Sequence, residues 1–389
     1  MKKVGIIGTR GKVSKAFGMG TDQLLHSVGA NTGNLVFQYS VYNTISEDRI
    51  VIGVDIPWDV NQVKENCRVI VVPAANFIRE GADFTSMTNF LEQVDLPLVV
   101  VGLGVQAKDY NKKIFDLHSS TLRLLELFKE RCKTIGLRGE YSAEILSSMG
   151  VNNIEVIGCP SNFLNPDVGL PDKIIKKASS DVEVISATGD EPWPSNSLKR
   201  DAERKLLTLV QEFSGTYVIQ SVQPFVKVLR DRNIYQKSEE EEEERLFDSL
   251  REALMPHLST REFRRFARSR FRIYVDVDQW LEEASRFDFS VGLRLHGNMV
   301  PFQAGTPAVW VAHDARTQEL SEVMSLPHVS VSDFLNINHI QELKEVALEY
   351  LPLYRNKRTI LLERYVRIFE ENEIQQAHRL SEFKSSVLA

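Results

Sequence analysis

Cysteine is scarce in this sequence: Cys67, Cys132 and Cys159 are the only three in 389 residues, and none belongs to a C-x-x-C pair. An odd, widely spaced set supports neither a disulfide framework nor a zinc cluster, and it fits a reducing compartment. No apolar run approaches the length that spans a bilayer. Val4 to Ile7 is too short for the apolar core of a signal peptide. Basic charge is not in excess either: the formal net charge is −6, which argues against a general nucleic-acid binder. Both G-x-G-x-x-G and G-x-x-x-x-G-K-[ST] are missing, so Gly8-Thr9-Arg10-Gly11-Lys12 reads as a turn. The eight histidines include no H-x-x-x-H pair, and no metal site is expected. The expected location is the cytoplasm, with peripheral association at the inner face of the membrane left open.

The composition, 43% hydrophobic and 26% charged, is that of a globular chain, and its length calls for two domains. Short continuous apolar runs recur at Val4–Ile7, Val69–Val72, Leu98–Val101, Thr134–Leu137 and Ile154–Ile157. Such runs mark strands covered on both faces, as in a parallel sheet. Helical patterns lie between them, at Leu35 to Ile45 with Asn34 as cap, Lys113 to Lys129 with Leu122 among the sheet-facing positions, and Tyr141 to Met149. Pro166, Gly169 and Pro171 suggest a linker over Pro166 to Ser180. The alternation then resumes with strands at Val182–Ala187, Thr216–Gln220, Phe271–Val275, Phe287–Val291 and Ala308–Ala312. His339 to Tyr350 and Tyr354 to Leu380 read as separate helices. The expected division is 1–170, 171–350 and a C-terminal helical part, 351–389, packing back on the N-terminal domain.

Loops at the carboxyl ends of these strands carry the candidate site residues, because ligands of parallel sheets bind there. They are Asn31, Gly33 and Asn34 before the helical run from Leu35, Asn76 after Val72, Gly102 and Gly104 after Val101, and Arg138 after Leu137. The stretch from Arg286 to Arg316 is a strand, turn, helix and strand with Arg294, Leu295 and His296 in the turn. Free N–H groups at a helix start favour an anion, and an arginine adds a two-pronged donor for carboxylate or phosphate. Histidine adds a proton carrier near neutral pH. Glu239 to Glu244 and the cluster Arg261, Arg264, Arg265, Arg268, Arg270 and Arg272 are read as solvated helix faces, or, for the arginines, as a surface for an anionic acceptor or membrane.

Three segments resemble the polysaccharide pyruvyl transferase family. Gly292-Leu293-Arg294-Leu295-His296-Gly297 with Gly305-Thr306-Pro307 is similar to its S-x-R-L-H-x…G-x-P pattern. Gly136-Leu137-Arg138-Gly139-Glu140-Tyr141-Ser142 is similar to its R-[DG]-x-x-S segment. Ile157-Gly158-Cys159-Pro160-Ser161-Asn162-Phe163-Leu164 stands in the place of its D-P-A-F-L-like loop but departs from it, as Asn34 departs from N-x-G-D. The resemblance implies two Rossmann-like parallel-sheet domains in a GT-B-like arrangement with C-terminal helices. It also implies transfer of a 1-carboxyethylidene group from phosphoenolpyruvate to a sugar or lipid-linked saccharide, with no cofactor. Arg138 and Arg294 would hold the donor from opposite domains, facing one another across the cleft, and His296 would act as acid or base. The alternatives are a nucleotide-sugar-dependent glycosyltransferase of the same architecture and a non-catalytic binding protein of polysaccharide assembly.

Overall fold

The computed structural model describes residues 2–107, 112–230, 237–378 and 380. The strands are β1 (Lys3–Ile7), β2 (Arg49–Ile52), β3 (Cys67–Pro73), β4 (Leu98–Leu103), β5 (Ile135–Leu137), β6 (Ile154–Val156), β7 (Ile185–Thr188), β8 (Thr216–Val218), β9 (Phe271–Arg272), β10 (Phe289–Gly292), β11 (Ala308–Ala312) and β12 (His328–Ser330). They form two six-stranded sheets, ordered β2-β1-β3-β4-β5-β6 and β12-β11-β10-β7-β8-β9. Every pairing is parallel. The chain therefore builds two Rossmann-like α/β domains, and each order reverses direction at a switch point where ligands bind. In the first sheet the reversal lies between β1 and β3, and in the second between β7 and β10.

The continuous apolar runs have a plain cause. Side chains alternate across a strand, so Val69 and Val71 of β3 enter one core while Ile70 and Val72 enter the core on the other face. The first of these cores also receives Met299, Phe302 and Trp310 from the second domain, together with Leu361, Leu362, Tyr365, Val366, Ile368 and Phe369. Those last six belong to one helix, Ile340–Glu371, that runs unbroken through Pro352, where the sequence suggested two. Tyr365 stacks on Phe163 with ring centroids 4.9 Å apart, and its hydroxyl lies 3.0 Å from Thr44 Oγ1. Ile360, on the same helix, is exposed.

Four other expectations are corrected. Residues 170–178 of the supposed linker form a helix (Leu170–Ala178), whose Pro171 sits in the first turn, where a missing N–H costs nothing. The helix expected from Lys113 begins only at Ser119, and Leu122 points to solvent. The strand expected over Phe271–Val275 is limited to Phe271–Arg272. Gly33 occupies the cap position of the helix Asn34–Thr44, and Asn34 is its first residue. Several basic-cluster arginines have local partners: Arg268 pairs with Glu243, Arg264 lies over the Phe247 ring, and Arg270 donates to Ser214 O. Glu239 to Glu242, the larger part of the acidic run, have side chains outside the described residues, as do residues 381–389 of the C-terminal part. Among the described residues no helix is long and apolar enough to cross a membrane.

Candidate functional site

The switch point of the second sheet carries the turn that the sequence singled out. Leu293 N donates to Thr188 O at 2.9 Å, which ties the end of β10 to the end of β7. The helix Leu295–Gln303 follows, with Arg294 at its cap position, whose side chain makes no capping hydrogen bond. Buried Asn298 anchors this helix by donating to Gly292 O at 2.9 Å and accepting from Ser290 Oγ at 3.0 Å. Trp310 Nε1 donates to Leu295 O at 3.0 Å, so Leu295 contributes its backbone to the scaffold.

His296 sits in the first turn of that helix and is buried. Its ring lies against Phe37 at a centroid distance of 5.7 Å, and its Nε2 is 3.5 Å from Cys159 Sγ. Burial, then the charges of Arg138 and Arg316, lower its pKa to about 3. The ring is therefore neutral near pH 7.

Arg138 approaches from the first domain, also packed on Phe37, with its guanidinium carbon 5.8 Å from that ring's centre. Only 4% of it is exposed. Its Nε donates to Gly102 O at 2.9 Å, and Nη1 donates to Asn76 Oδ1 at 2.8 Å. Gly102 holds φ at +82°, a conformation that favours glycine, and a Cβ on Gly104 would stand 2.8 Å from Arg138 Cδ. Asn76, Gly102, Gly104 and Arg138, from the ends of three adjacent strands, thus meet at one point. Among the described residues no carboxylate forms an ion pair with Arg138. Burial lowers its pKa. The nearby Glu319 is occupied by Ser142 N at 3.0 Å, and its own pKa is raised by burial. A buried guanidinium without an ion pair is costly to keep, and it is the arrangement an anionic ligand would relieve.

Arg294 is placed differently. Its guanidinium forms an ion pair with Asp190 and donates to Asp190 O at 3.1 Å and Ser221 Oγ at 2.7 Å. Asp190 also meets Lys199 and, at 3.4 Å, His313 Nε2. Burial alone would raise Asp190, but Arg294, His313 and Lys199 hold it at about 2. Underneath, Glu203 accepts from Asp190 N at 2.8 Å and Glu191 N at 2.9 Å and bonds the Tyr217 hydroxyl. Burial pushes Glu203 up to about 7. Arg294 is therefore committed to this network, and the second guanidinium acting on His296 is that of Arg316, itself 3.2 Å from Asp314 Oδ2.

Asn31, Gly33 and Asn34 lie further along the interdomain seam. Thr32 N donates to Gln220 O at 2.8 Å, while Asn31 Oδ1 accepts from Gly33 N at 2.8 Å. Asn34 Nδ2 donates to Val28 O at 2.9 Å and so closes its own loop. Thr32 Oγ1 and Gln220 Nε2 are buried without partners among the described residues. Sequence reasoning missed Arg316, Asp190, and the contact of Cys159 with His296. Arg316 gave a signal as the last residue of the stretch that holds Arg294, and Cys159 as part of the loop that departs from the family pattern.

A family model described as polysaccharide pyruvyl transferase matches residues 17–315. No curated protein matches the sequence. Among solved structures, Anabaena HepE in complex with UDP is 11% identical, with 95% of this chain and 100% of that one covered at a TM-score of 0.46. Staphylococcus aureus MnaA with UDP is 12% identical, with 95% and 98% covered at 0.44. Neisseria meningitidis UDP-GlcNAc 2-epimerase bound to UDP-GlcNAc is 10% identical, with 94% and 100% covered at 0.44. Likeness at this level bears on neither substrate nor chemistry.

Proposed function

The chain belongs to the polysaccharide pyruvyl transferase family, and from that premise we propose that it moves the 1-carboxyethylidene group of phosphoenolpyruvate onto two hydroxyls of a sugar, closing a cyclic ketal. The acceptor is a surface polysaccharide or a precursor of one, and a lipid-linked precursor would bring the enzyme to the cytoplasmic face of the membrane. The observation that carries the reading is Arg138, a buried cation with no ion pair among the described residues, set beside His296 at the start of a helix whose cap residue makes no capping bond. Phosphoenolpyruvate is a compact polyanion. Its carboxylate and phosphate would meet Arg138 and Arg316 in a space from which water is largely excluded, where such contacts are strong.

The reaction needs protons moved in both directions. A proton must reach the methylene carbon as the double bond's electrons form the new C–H bond, and positive charge then develops at the carbon bearing the phosphate ester. A sugar hydroxyl attacks that carbon and gives up its proton. Phosphate leaves with the electron pair of its C–O bond, a second hydroxyl takes its place, and that proton goes to the phosphate. His296 serves the first exchange, between hydroxyl and methylene. Beside the Asp190 ion pairs, at the end of β11, a cavity of about 370 Å³ has Asn196, Lys199, His313 and Gln318 among its lining residues. Its mixed donors and acceptors suit the acceptor sugar.

Heat stabilisation tests the donor assignment. Phosphoenolpyruvate at about 100 times its dissociation constant should add roughly 2.7 kcal/mol, and nucleotide sugars should add much less. His296→Ala should keep most of that gain and lose about 10²- to 10⁴-fold in transfer. Stabilisation by a nucleotide sugar alone would favour the glycosyltransferase alternative.

A further inference from the structure

A neutral imidazole is a poor acid, yet the proposed reaction begins by protonating carbon, and His296 is kept neutral by its surroundings. What lies behind the ring supplies an answer. Cys159 is fully buried, and its Sγ is 3.5 Å from His296 Nε2. On its other side Ser161 Oγ, also fully buried, donates to the same sulfur at 3.0 Å. A sulfur that accepts from the hydroxyl is free to direct its own hydrogen at Nε2, and in that arrangement the bonds run from Ser161 O–H to Sγ and from S–H to the ring. An imidazole that accepts at Nε2 carries its hydrogen at Nδ1.

We infer that Cys159, backed by Ser161, is a positioning residue that fixes His296 as the Nδ1–H tautomer and replenishes the proton this ring passes to the donor. The tautomer is argued from the Ser161–Cys159–His296 contacts, whereas the proton supply rests on the pyruvyl-transfer reading. In that supply Nδ1–H gives its proton to the methylene carbon while Nε2 takes the thiol proton, leaving a neutral ring and a thiolate. The sulfur keeps the Ser161 hydrogen bond throughout. When the acceptor hydroxyl attacks, its proton enters at Nδ1 and the Nε2 proton returns to sulfur. Ring and thiol are then as they began, and no charged imidazolium is ever required.

The test is ¹⁵N NMR of histidine-labelled protein, with the His296 signals identified by their loss in His296→Gln. Wild type should show the Nδ1–H tautomer. Cys159→Ala should move the ring toward Nε2–H and lower phosphoenolpyruvate turnover by about 10- to 100-fold, the range found when metal-bound histidines lose an orienting partner. Cys159→Ser should recover the tautomer but not the turnover, because an alcohol does not release its proton near neutral pH. An Nε2–H ring in the wild type, or a ring unmoved by Cys159→Ala, overturns the inference. Full turnover in Cys159→Ser refutes the proton supply and leaves the tautomer. If the tautomer responds as stated while no variant, wild type included, consumes phosphoenolpyruvate, it is the pyruvyl-transfer reading that fails.

Discussion

Replacing Arg138 by glutamine separates a donor-binding cation from a structural one. The side chain is buried and holds Gly102 O and Asn76 Oδ1, bonds that a glutamine amide can replace in part. The charge it cannot replace. For the wild type, the expected gain of about 2.7 kcal/mol at a hundredfold excess over the dissociation constant must be divided by the unfolding entropy. At about 2.1 cal/mol/K per residue, this chain, unfolding as a unit, shifts by roughly 3 °C. Losing about 3 kcal/mol of charge-assisted bonding weakens the ligand about 100-fold. At the same ligand concentration roughly 0.4 kcal/mol then remains, or about half a degree. The unliganded variant should melt within a few degrees of wild type, since removing an unpaired buried charge relieves desolvation while two hydrogen bonds weaken. Thermal melts with and without phosphoenolpyruvate measure both quantities. A variant that keeps the full ligand-induced shift would refute Arg138 as the donor's cation.

Other outcomes follow from the same geometry. Arg294→Gln should lower unfolding stability by about 3 kcal/mol in denaturant titrations, because it leaves Asp190 buried with only Lys199 and His313, while a ligand-induced shift persists. Gly104→Ala places a methyl 2.8 Å from Arg138 Cδ, and should weaken phosphoenolpyruvate binding by about tenfold or more with the charge intact. Glu203 has a folded pKa raised to about 7 from an ordinary 4.5. The stability it contributes is present below pH 4.5 and lost as pH rises toward 7, so Glu203→Gln should flatten that decline in stability measured across the window. Phe369→Ala should cost about 3 to 5 kcal/mol, read by the same titration, since its ring is fully buried where the C-terminal helix meets the first sheet.

Much of the architecture is legible because strands buried on both faces read as unbroken apolar runs, and β3 and β4 are of that kind. The meeting of Asn76, Gly102, Gly104 and Arg138 follows from topology: each ends or follows one of three neighbouring strands, and parallel strands bring their carboxyl ends together. The role of Arg294 was not legible, because its partner Asp190 stands 104 residues earlier and meets it only once β7 lies beside β10. Arg316 escaped notice for a related reason, since its approach to His296 depends on the chain's path after β11. The helix at 170–178 was hidden by Pro171, which marks a break anywhere except a helix's first turn. Cys159 drew notice only as part of the loop that departs from the family pattern, and nothing local to it points to a histidine 137 positions away.

The central claim is tested most directly by following phosphoenolpyruvate in ³¹P NMR with the wild-type enzyme and a panel of sugars and saccharide precursors that offer paired hydroxyls. The account predicts that the enol phosphate signal gives way to inorganic phosphate when a suitable acceptor is present. A ketal methyl signal should appear on the sugar in step, and neither change should occur at a comparable rate with Arg138→Gln or His296→Ala. Cleavage of a nucleotide sugar under the same conditions, with phosphoenolpyruvate untouched across the panel, would contradict it.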